Sequence, residues 1–573
     1  MNYKEKYEQW CSDPYFDDLT KEELKAIAGD DGEIEDRFYR QLEFGTGGLR
    51  GVIGAGTNRM NIYTVRQATQ GLANYIVSQN GQMRGVAIAY DSRRMSPEFA
   101  KEAALCLNAN DIKTYLFESL RPTPELSFAV RQLNCMAGIV ITASHNPREY
   151  NGYKVYWEDG AQITPPHDKN ILAEAEHVRE FSQVKMMDEV EAVKSGLHQM
   201  VGSEIDDLYM EELKKQSIHP EVIKEVAKDI KIVYTPLHGA GNLPVQRVLK
   251  ELGFENVYVV KEQEQPDGSF PTVAYPNPED EKAFALALKL AEEVDADIVL
   301  ATDPDADRLG VYAKDAKTGK YVSFTGNMSG MLIAEYILRE RTKTNTMPEH
   351  PALVETIVTT KMAKAVADTY AVALIEVLTG FKYIGEQIRL FEENQSYHYV
   401  FGLEESYGCL AGTYARDKDA CVAVMMLCEV AAYYKAKDQT LWDAMIDMYE
   451  KYGYYKEGLT TLTLKGIDGA KQIQDIMDRQ RKNPPKVLGN HAVLAVRDYN
   501  EDRRIVMSTG ETSSTGLPKS NVLYYELEDC AWCCIRPSGT EPKIKFYYGV
   551  KGISLEDAAE KLEALKQDLV KDE

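Results

Sequence analysis

The chain is short of positive charge. Its 573 residues include 66 Lys and Arg against 90 Asp and Glu, which gives a net charge of −24. Nucleic acids and anionic membranes attract basic surfaces, so we expect neither as a partner. An anionic substrate would have to be bound by a local cluster of Arg and Lys that works against the overall field.

Long apolar runs and an apolar leader are also missing. The longest apolar stretches, such as Cys421 to Cys428, fall far short of the roughly 18 residues that a membrane span needs. The first ten residues are charged rather than apolar, which is not the pattern of a secretory signal. The sequence therefore predicts a cytoplasmic protein.

Cysteine and histidine are sparse, with nine of each. Cys530 and Cys533 form a C-x-x-C, but in a strand-like segment rather than at the start of a helix, where a redox pair would lie. We expect free thiols in a reducing compartment. The low histidine count argues against a histidine-rich zinc site.

Strand-like apolar runs alternate with helical patterns along most of the chain, which predicts α/β domains with mixed, largely parallel sheets. The length allows about three to five domains. Ser96 and Pro97 predict a helix start, with the serine as N-cap. A closing helix is predicted from Ser554, with Asp557 completing a capping box. The predicted domains are 1–200, 201–317, 318–452 and 453–573, the last being α+β.

The motif T-A-S-H-N-P places Ser144 in a loop directly after the apolar run Ala137 to Ile141. A serine at the end of a buried strand is a candidate nucleophile, although most single serines are caps or turn residues. A Ser-His-Asp hydrolase is disfavoured because G-x-S-x-G is missing. His145 is adjacent in sequence and is poorly placed to act as its base.

The motif T-D-P-D-A-D-R places Asp303, Asp305 and Asp307 directly after a second apolar run, Ile298 to Ala301. Crowded carboxylates repel one another unless a cation neutralises them. Oxygen ligands select Mg²⁺ or another hard cation. An EF-hand is excluded, because Arg308 stands where that loop needs glycine.

Three further loops carry polar groups between glycines. G-L-E-E-S-Y-G (402–408) suits sugar hydroxyls. R-P-S-G-T-E-P-K (536–543) offers an arginine, two hydroxyls and a glycine that lets backbone N–H groups approach, which suits a phosphate. F-G-T-G-G-L-R-G (44–51) is a glycine-rich turn that carries Arg50.

Together and in this order, these loops resemble those of the α-D-phosphohexomutase family, the phosphoglucomutases and phosphomannomutases. The similar segments are T-A-S-H-N-P-x-x-Y-N-G-x-K, D-P-D-A-D-R, G-L-E-E-S-Y-G and R-P-S-G-T-E-P, and they extend the resemblance over essentially the whole chain. The resemblance implies four domains around a central cleft, with a mobile fourth domain. A monomer or a homodimer is expected.

The resemblance also implies a role for each matching residue. Ser144 would carry the phosphoryl group, with His145 near it, Lys154 as a candidate proton-transfer group and Arg50 as the arginine of the first motif. The three aspartates would hold Mg²⁺, and Arg308 would support their loop. The implied substrate ligands are Glu404, Ser406, Lys382, Arg536, Ser538, Gly539 and Thr540.

The implied reaction passes a phosphoryl group from phosphoserine to a hexose 1-phosphate. A hexose 1,6-bisphosphate forms, turns around and returns its other phosphate to the serine. The E-E-S-Y-G tail of the sugar loop resembles the glucose-preferring type, which favours glucose 1-phosphate as substrate and glucose 1,6-bisphosphate as activator. The chain length resembles a longer subgroup, so mannose or pentose phosphate mutases and a sugar 1,6-bisphosphate synthase stay as alternatives.

Two other classes of function compete with this interpretation. A catalytically silent phosphosugar-binding regulator would be expected to lack the serine or an aspartate, and both motifs are intact. A phosphatase would transfer the phosphoryl group to water and would not need the loop at 536–543. Inorganic phosphate as product would indicate the phosphatase, and an isomeric sugar phosphate would indicate the mutase.

Overall fold

A computed structural model describes residues 2–43, 45, 47–464, 466–538 and 543–570. The chain divides into two compact units. The first unit comprises Met1–Gly326, Ile384–Gln395 and Ser406–Leu441. The second comprises Asn327–Tyr383, Ser396–Glu405 and Trp442–Glu573. None of the described helices has both the length and the apolar character that crossing a bilayer requires.

The first stretch of the chain forms a six-stranded sheet preceded by three short helices. Its elements are α1 (Tyr3–Ser12), α2 (Asp18–Ala26), α3 (Asp31–Phe38), β1 (Gly48–Val52), α4 (Ile62–Ser78), β2 (Val86–Tyr90), α5 (Ser96–Asn108), β3 (Thr114–Phe117), α6 (Thr123–Gln132), β4 (Ala137–Ile141), β5 (Tyr150–Trp157), α7 (His167–His177), α8 (Glu189–Lys194) and β6 (His198–Val201).

The strand order of this sheet is β1-β5-β4-β2-β3-β6. Strands β4, β2, β3 and β6 are parallel to one another. At one edge of the sheet, β5 pairs antiparallel with β4, and β1 pairs antiparallel with β5. All five residues of β4 are buried, as expected for a central parallel strand covered on both faces. The loop that carries Ser144 follows at the carboxyl end of β4, beside the end of β2.

The second stretch forms a five-stranded sheet of order β11-β10-β9-β7-β8. Its elements are α9 (Ser203–Lys214), α10 (Pro220–Val226), β7 (Lys231–Thr235), α11 (Asn242–Leu252), β8 (Asn256–Val259), α12 (Lys261–Glu264), α13 (Ala285–Val294), β9 (Ile298–Thr302), β10 (Leu309–Lys314) and β11 (Tyr321–Phe324). Strands β9, β7 and β8 are parallel. The boundary predicted at residue 318 falls in the turn between β10 and β11, which pair with each other, so this sheet extends to Phe324.

The third stretch is shared between the two units. Its elements are α14 (Gly326–Lys343), β12 (Pro351–Thr356), α15 (Met362–Thr369), β13 (Ala373–Val377), α16 (Phe381–Asn394), β14 (His398–Glu404), β15 (Gly408–Ala411), α17 (Ala420–Lys435) and α18 (Leu441–Tyr452). Within the second unit, β12 pairs in parallel with both β13 and β14. Within the first unit, the almost wholly buried α17 packs on α10, α11 and β9.

The last stretch is an antiparallel sheet with two helices. Its elements are β16 (Tyr454–Thr463), α19 (Gly466–Lys482), β17 (Val487–Leu488), β18 (His491–Asp498), β19 (Arg503–Val506), β20 (Thr512–Ser513), β21 (Leu523–Leu527), β22 (Trp532–Pro537), β23 (Lys543–Gly552) and α20 (Leu555–Val570). The main strand order is β16-β23-β22-β21-β18-β19-β20, with β17 paired to β18. The predicted class, α/β domains followed by an α+β region, is confirmed.

Two predicted helix starts differ in detail from the structure. Ser96 is the first residue of α5 rather than its N-cap, which is Met95, because the Ser96 hydroxyl donates to Asp91 Oδ1 at 2.9 Å. Ser554 does cap α20 by accepting from Asp557 N at 3.2 Å. The Asp557 carboxylate accepts from Ile553 N instead of from the cap residue.

Candidate active site

The backbone at Ser144 is in the left-handed region, with a φ of +52°. This conformation costs a non-glycine residue free energy, and such strain persists only where the surroundings hold it. The Ser144 N–H donates to Thr142 Oγ1 at 2.8 Å, and the Thr142 hydroxyl donates to Asp91 Oδ2 at 2.6 Å. The Ser144 side chain is nearly buried, at 3% exposure.

The aspartate loop folds around the carboxylate of Asp303. Its Oδ1 accepts from the N–H groups of Asp307 at 3.1 Å and of Arg308 at 3.0 Å. Ala306 supplies the tight turn with a φ of +52°. The loop is anchored to the first sheet region by Thr123, whose hydroxyl donates to Asp305 Oδ2 at 2.8 Å.

The three aspartates form a buried cluster whose ligand oxygens all lie within 4.8 Å of one another. Within the described part of the chain, Asp305 Oδ1 and Asp307 Oδ1 are buried without a hydrogen-bond partner. Burial, together with the charges of Asp305 and Asp307, raises the pKa of Asp303 well above its ordinary value. A hard divalent cation would satisfy both orphaned oxygens and relieve the repulsion, so these residues fit a metal site.

The serine hydroxyl faces this cluster. Ser144 Oγ donates to Asp303 Oδ2 at 2.7 Å, and it lies 3.2 Å from His145 Nδ1. Burial and then the charges of Arg308 and Arg50 lower the pKa of His145 well below its ordinary value. The structure thus brings Ser144, His145 and the aspartate cluster together.

Two lysines face the aspartates from other parts of the fold. Lys154 Nζ, on β5, lies 2.8 Å from Asp305 Oδ2 and 3.5 Å from Asp307 Oδ2. Lys418 Nζ, just before α17, lies 2.9 Å from Asp307 Oδ2. Burial opposes the charged form of Lys154, but Asp305 and Asp307 outweigh it and raise the pKa of that lysine.

Lys418 was not predicted from the sequence. It lies in A-R-D-K-D, ten residues after the glycine that closes the sugar loop motif, and nothing in that segment marks a catalytic lysine. Its contact with Asp307 depends on how α17 packs against the second sheet. The chain position alone therefore gives no signal.

Arg50 and Arg308 lie at the edges of the serine loop and the aspartate loop. Arg50, exposed on β1, has Nη1 3.5 Å from Asn146 Oδ1. Arg308 Nη1 donates to Glu279 Oε1 at 2.5 Å, and its Nε lies 3.8 Å from Asp307 Oδ1. Both guanidinium groups therefore lie near the serine and aspartate loops.

The sugar loop G-L-E-E-S-Y-G spans the division between the units. Glu404, buried at the end of β14, and Glu405 belong to the second unit. Thr356 donates to Glu405 Oε2 at 3.1 Å, and burial and then Glu404 raise the pKa of Glu405 to about 7. Ser406, in the turn after β14, belongs to the first unit and is partly buried.

The predicted phosphate loop is described only in part. Arg536, at the end of β22, and Ser538 are partly exposed, and Ser538 N donates to Lys543 O at 2.7 Å. Gly539 and Thr540 lie outside the described residues. Burial and then Glu405 raise the pKa of Tyr547, while Arg536 opposes the shift, so the sugar loop and this loop adjoin the same tyrosine.

Lys382 is the second residue of α16 and follows Gly380, whose φ is +119°. Its Nζ lies 5.2 Å from the centroid of the Tyr383 ring. The side chain is partly exposed. Lys382 itself belongs to the second unit, whereas α16 belongs to the first unit from Ile384 onward.

Three α/β/α domain families of phosphoglucomutases and phosphomannomutases match the chain. Domain I matches residues 41–181, domain II matches 207–319 and domain III matches 325–452. A phosphoglucomutase of Staphylococcus aureus strain MRSA252 is 37% identical over 545 residues, which cover 95% of this chain and 96% of that protein.

Solved structures share the fold. A putative phosphomannomutase from Thermus thermophilus superposes with a TM-score of 0.67 at 21% identity, covering 93% of this chain and 99% of that chain. The open form of the exocytosis-sensitive phosphoprotein pp63/parafusin from Paramecium superposes with a TM-score of 0.68 at 17% identity, covering 93% and 94%. At these identities, the likeness concerns the fold.

Proposed function

The chain belongs to the α-D-phosphohexomutase family of phosphoglucomutases and phosphomannomutases, and from that premise we propose that it interconverts glucose 1-phosphate and glucose 6-phosphate. The observation that carries this proposal is the pairing of Ser144 Oγ with Asp303 at 2.7 Å, in a buried site beside a cluster of carboxylates. A hydroxyl in that position is suited to carry a phosphoryl group next to a cation.

The covalent carrier in this proposal is Ser144. Its phosphoester gives the phosphoryl group to the free hydroxyl of a hexose monophosphate, and the P–O bond to Ser144 breaks as the bond to the sugar oxygen forms. The resulting 1,6-bisphosphate turns and returns its other phosphate to the serine. Phosphoryl transfer depends mainly on positioning and charge stabilisation, which a strained and anchored loop supplies.

Asp303, Asp305 and Asp307 would hold Mg²⁺, which when bound would offset the charge of the phosphoryl group. Lys154, on β5, contacts Asp305 and Asp307. Lys418, just before α17, contacts Asp307. In the transfer step the sugar hydroxyl loses its proton and the departing Ser144 oxygen gains one, and we assign this proton transfer to Lys154. We assign His145 and Arg50 the contacts with the transferring phosphate. Arg308 supports the aspartate loop in two ways: its guanidinium donates to Glu279, and its backbone N–H donates to Asp303.

The remaining groups are proposed to recognise the substrate. Glu404 and Ser406 would bind sugar hydroxyls, and Lys382 would face the sugar. Arg536, Ser538, Gly539 and Thr540 would grip the phosphate that does not react, in which case glucose 1,6-bisphosphate acts as activator by reloading Ser144. A cytoplasmic location is also proposed, in keeping with nine cysteines that are all free thiols.

Product analysis tests the proposal. The purified protein, Mg²⁺, glucose 1-phosphate and a trace of glucose 1,6-bisphosphate should give glucose 6-phosphate in a phosphorus NMR time course. Release of inorganic phosphate in its place would show a phosphatase. Relative kcat/KM for glucose, mannose, N-acetylglucosamine and ribose 1-phosphates should be highest for glucose, and a clear preference for the pentose would overturn the substrate assignment while leaving the chemistry intact.

A further inference from the structure

A single guanidinium group lies directly behind the serine loop. Arg93 follows β2 and has a fully buried side chain. Its Nη2 donates to the carbonyl of Ser144 at 2.6 Å and also to that of Asn146. Its Nη1 donates to the carbonyl of Pro147 at 2.8 Å and to that of Tyr150 at 3.1 Å. One side chain therefore bonds four carbonyls of a single loop.

The same guanidinium is held in place from two other sides. Asp91 Oδ2 lies 3.4 Å from Arg93 Nε, and Asp91 Oδ1 accepts from the Arg93 backbone N–H at 2.9 Å. The Phe270 ring, from the second sheet region, lies 5.1 Å from the centre of the guanidinium, which is within the range of a cation–π contact. Arg93 is thus enclosed between the serine loop, its own aspartate and an aromatic ring.

The segment that carries Phe270 is packed tightly against Arg93. A Cβ atom on Gly268 would lie 2.5 Å from Arg94 N and 2.6 Å from Ser92 O, so the two backbones touch. Phe270 is itself 2% exposed and has a φ of +44°. The region that bears the aspartate loop therefore braces the turn that holds the serine loop.

We propose that Arg93 is a positioning residue for the serine: by bonding the carbonyls of Ser144, Asn146, Pro147 and Tyr150, it keeps Ser144 in its left-handed conformation with Oγ facing the aspartate cluster. The proposal rests on the assignment of Ser144 as the phosphoryl carrier. Because the Arg93 side chain is fully buried, the proposed effect on the rate comes from the position of the serine rather than from contact with the substrate.

Loss of the Arg93 side chain would leave backbone carbonyls of the serine loop without hydrogen bonds that they make in the wild type. Without the guanidinium, the carbonyls of Ser144, Asn146 and Tyr150 lose the donor that Arg93 supplies, while that of Pro147 keeps a bond from Tyr150 N at 3.0 Å. The strained φ of Ser144 then loses one of the contacts that hold it. The loop would then relax towards an ordinary turn and carry Oγ away from Asp303. Lysine has the charge but lacks the planar fork, so it can replace only some of these bonds.

The test compares Arg93→Gln, Arg93→Lys and Phe270→Leu with the wild type. A displacement of about 1 Å costs roughly 100-fold in rate, so R93Q should lower kcat about 100-fold while KM for glucose 1-phosphate stays within about twofold. R93K should recover part of this loss, to about 10-fold below the wild type. F270L keeps every hydrogen bond and should lower kcat about fivefold.

Arg59→Lys is the matched control, because Arg59 is also buried and donates to backbone carbonyls, those of Asp36 and Asn58, away from the serine loop. R59K should leave kcat unchanged. Thermal melting reports the folded fraction of each variant, and rates are compared per folded molecule. If R93Q does not fold, R93K and F270L decide the question.

A second readout follows Ser144 itself. After incubation with glucose 1,6-bisphosphate, intact-protein mass spectrometry gives the rate at which each variant gains one phosphate. Slower labelling of R93K than of R59K supports the role of Arg93. This result would hold even if the wild type had no mutase turnover, an outcome that would overturn only the proposed function. Wild-type labelling and kcat in folded R93K and F270L, or a rise in KM at constant kcat, would overturn the role of Arg93.

Discussion

Two buried carboxylates, Asp305 in the first unit and Glu457 in the second, have their pKa values shifted in opposite directions. In the first unit, burial opposes ionisation of Asp305, but Lys154 outweighs it and lowers the pKa of that carboxylate. In the second unit, burial raises the pKa of Glu457 to about 6, and its partners are neutral, namely Thr360 Oγ1 at 2.5 Å and Asn327 Nδ2 at 3.0 Å. Glu405, which accepts from Thr356, has its pKa raised to about 7 by burial and then by the charge of Glu404.

The difference is between a carboxylate that stays ionised near neutral pH and a carboxyl group that can gain or lose a proton there. Against the effect of burial, Lys154 and Lys418 lower the pKa of Asp305 and Asp307, while burial and then those two carboxylates raise the pKa of Asp303. In the second unit, burial leaves the carboxyl groups of Glu457 and Glu405, with pKa values of about 6 and about 7, able to take up protons near neutral pH. Burial follows a different division, because Ser144 and the three aspartates are buried, as is Glu404 of the second unit, while Lys382, Arg536 and Ser538 are partly exposed.

Among the variants that test this comparison, the one that removes the Ser144 hydroxyl should have the largest effect. Ser144→Ala should lower turnover at least roughly 10⁴-fold, because a two-step transfer has no substitute for its covalent carrier. The measurement is kcat with glucose 1,6-bisphosphate present. Ser127→Ala, at a buried serine that bonds Gly160 O, is the matched control and should stay active. Near-normal turnover in S144A would refute the assignment.

Loss of the metal should have the next largest effect. Asp305→Asn should lower kcat by about 10²–10³-fold, because one carboxylate charge no longer faces the developing charge of the transfer. Chelation of the wild type should abolish activity, Mg²⁺ should restore it, and Zn²⁺ should restore little. Asp315→Asn, at a nearby aspartate of the β10–β11 turn, is the control. Full activity after exhaustive chelation would contradict the prediction.

A variant of Arg536 tests the residues of the second unit that are proposed to bind the substrate. Arg536→Ala should raise KM and lower kcat by about 10-fold each, because binding of the distal phosphate also positions the reacting end. Arg504→Ala, which only breaks an ion pair with Glu526, should change neither constant. Substrate should also slow hydrogen exchange in residues 453–573. Two unchanged constants in R536A would show that this arginine does not grip the phosphate.

The smallest expected effect is on stability at Glu457. A folded-state pKa of about 6, against an ordinary value of 4.5, means that its stabilising contribution is present below pH 4.5 and is lost as pH rises through 6. Glu457→Gln should therefore match the wild type near pH 4.5 and exceed its stability at pH 8 by about 2 kcal/mol, with a correspondingly higher Tm. Melting curves from pH 4.5 to 8 measure this, and a Tm difference independent of pH would contradict it.

The catalytic motifs could be found in the sequence because each is local. Ser144 and the three aspartates sit in short segments directly after buried strands, and the type and order of those segments carry the information. The left-handed turn at Ser144 was not predicted, because no residue type in T-A-S-H-N-P demands it. The Thr142 hydroxyl accepts from the Ser144 N–H, and Arg93, the proposed positioning residue, donates to the Ser144 carbonyl.

Arg93 and Lys418 could not be found because their partners are distant in the chain. Arg93 meets the serine loop only because β2 and β4 are neighbours in the sheet, and a strand order cannot be read from periodicity. The wrong N-cap at Ser96 has a local cause. Its hydroxyl donates to Asp91, five residues earlier in the connection between β2 and α5, and this hydrogen bond overrides the capping preference.

Helix α17 has a consequence for biosynthesis. It is almost wholly buried and covers β9, the strand that leads into Asp303, yet it is translated more than a hundred residues later. At roughly 5–20 residues per second, the ribosome leaves that face of the nascent sheet uncovered for on the order of ten seconds. A chain interrupted before Lys435 carries the aspartate motif without the helix that supports it, so chaperone protection during translation should matter most over this interval.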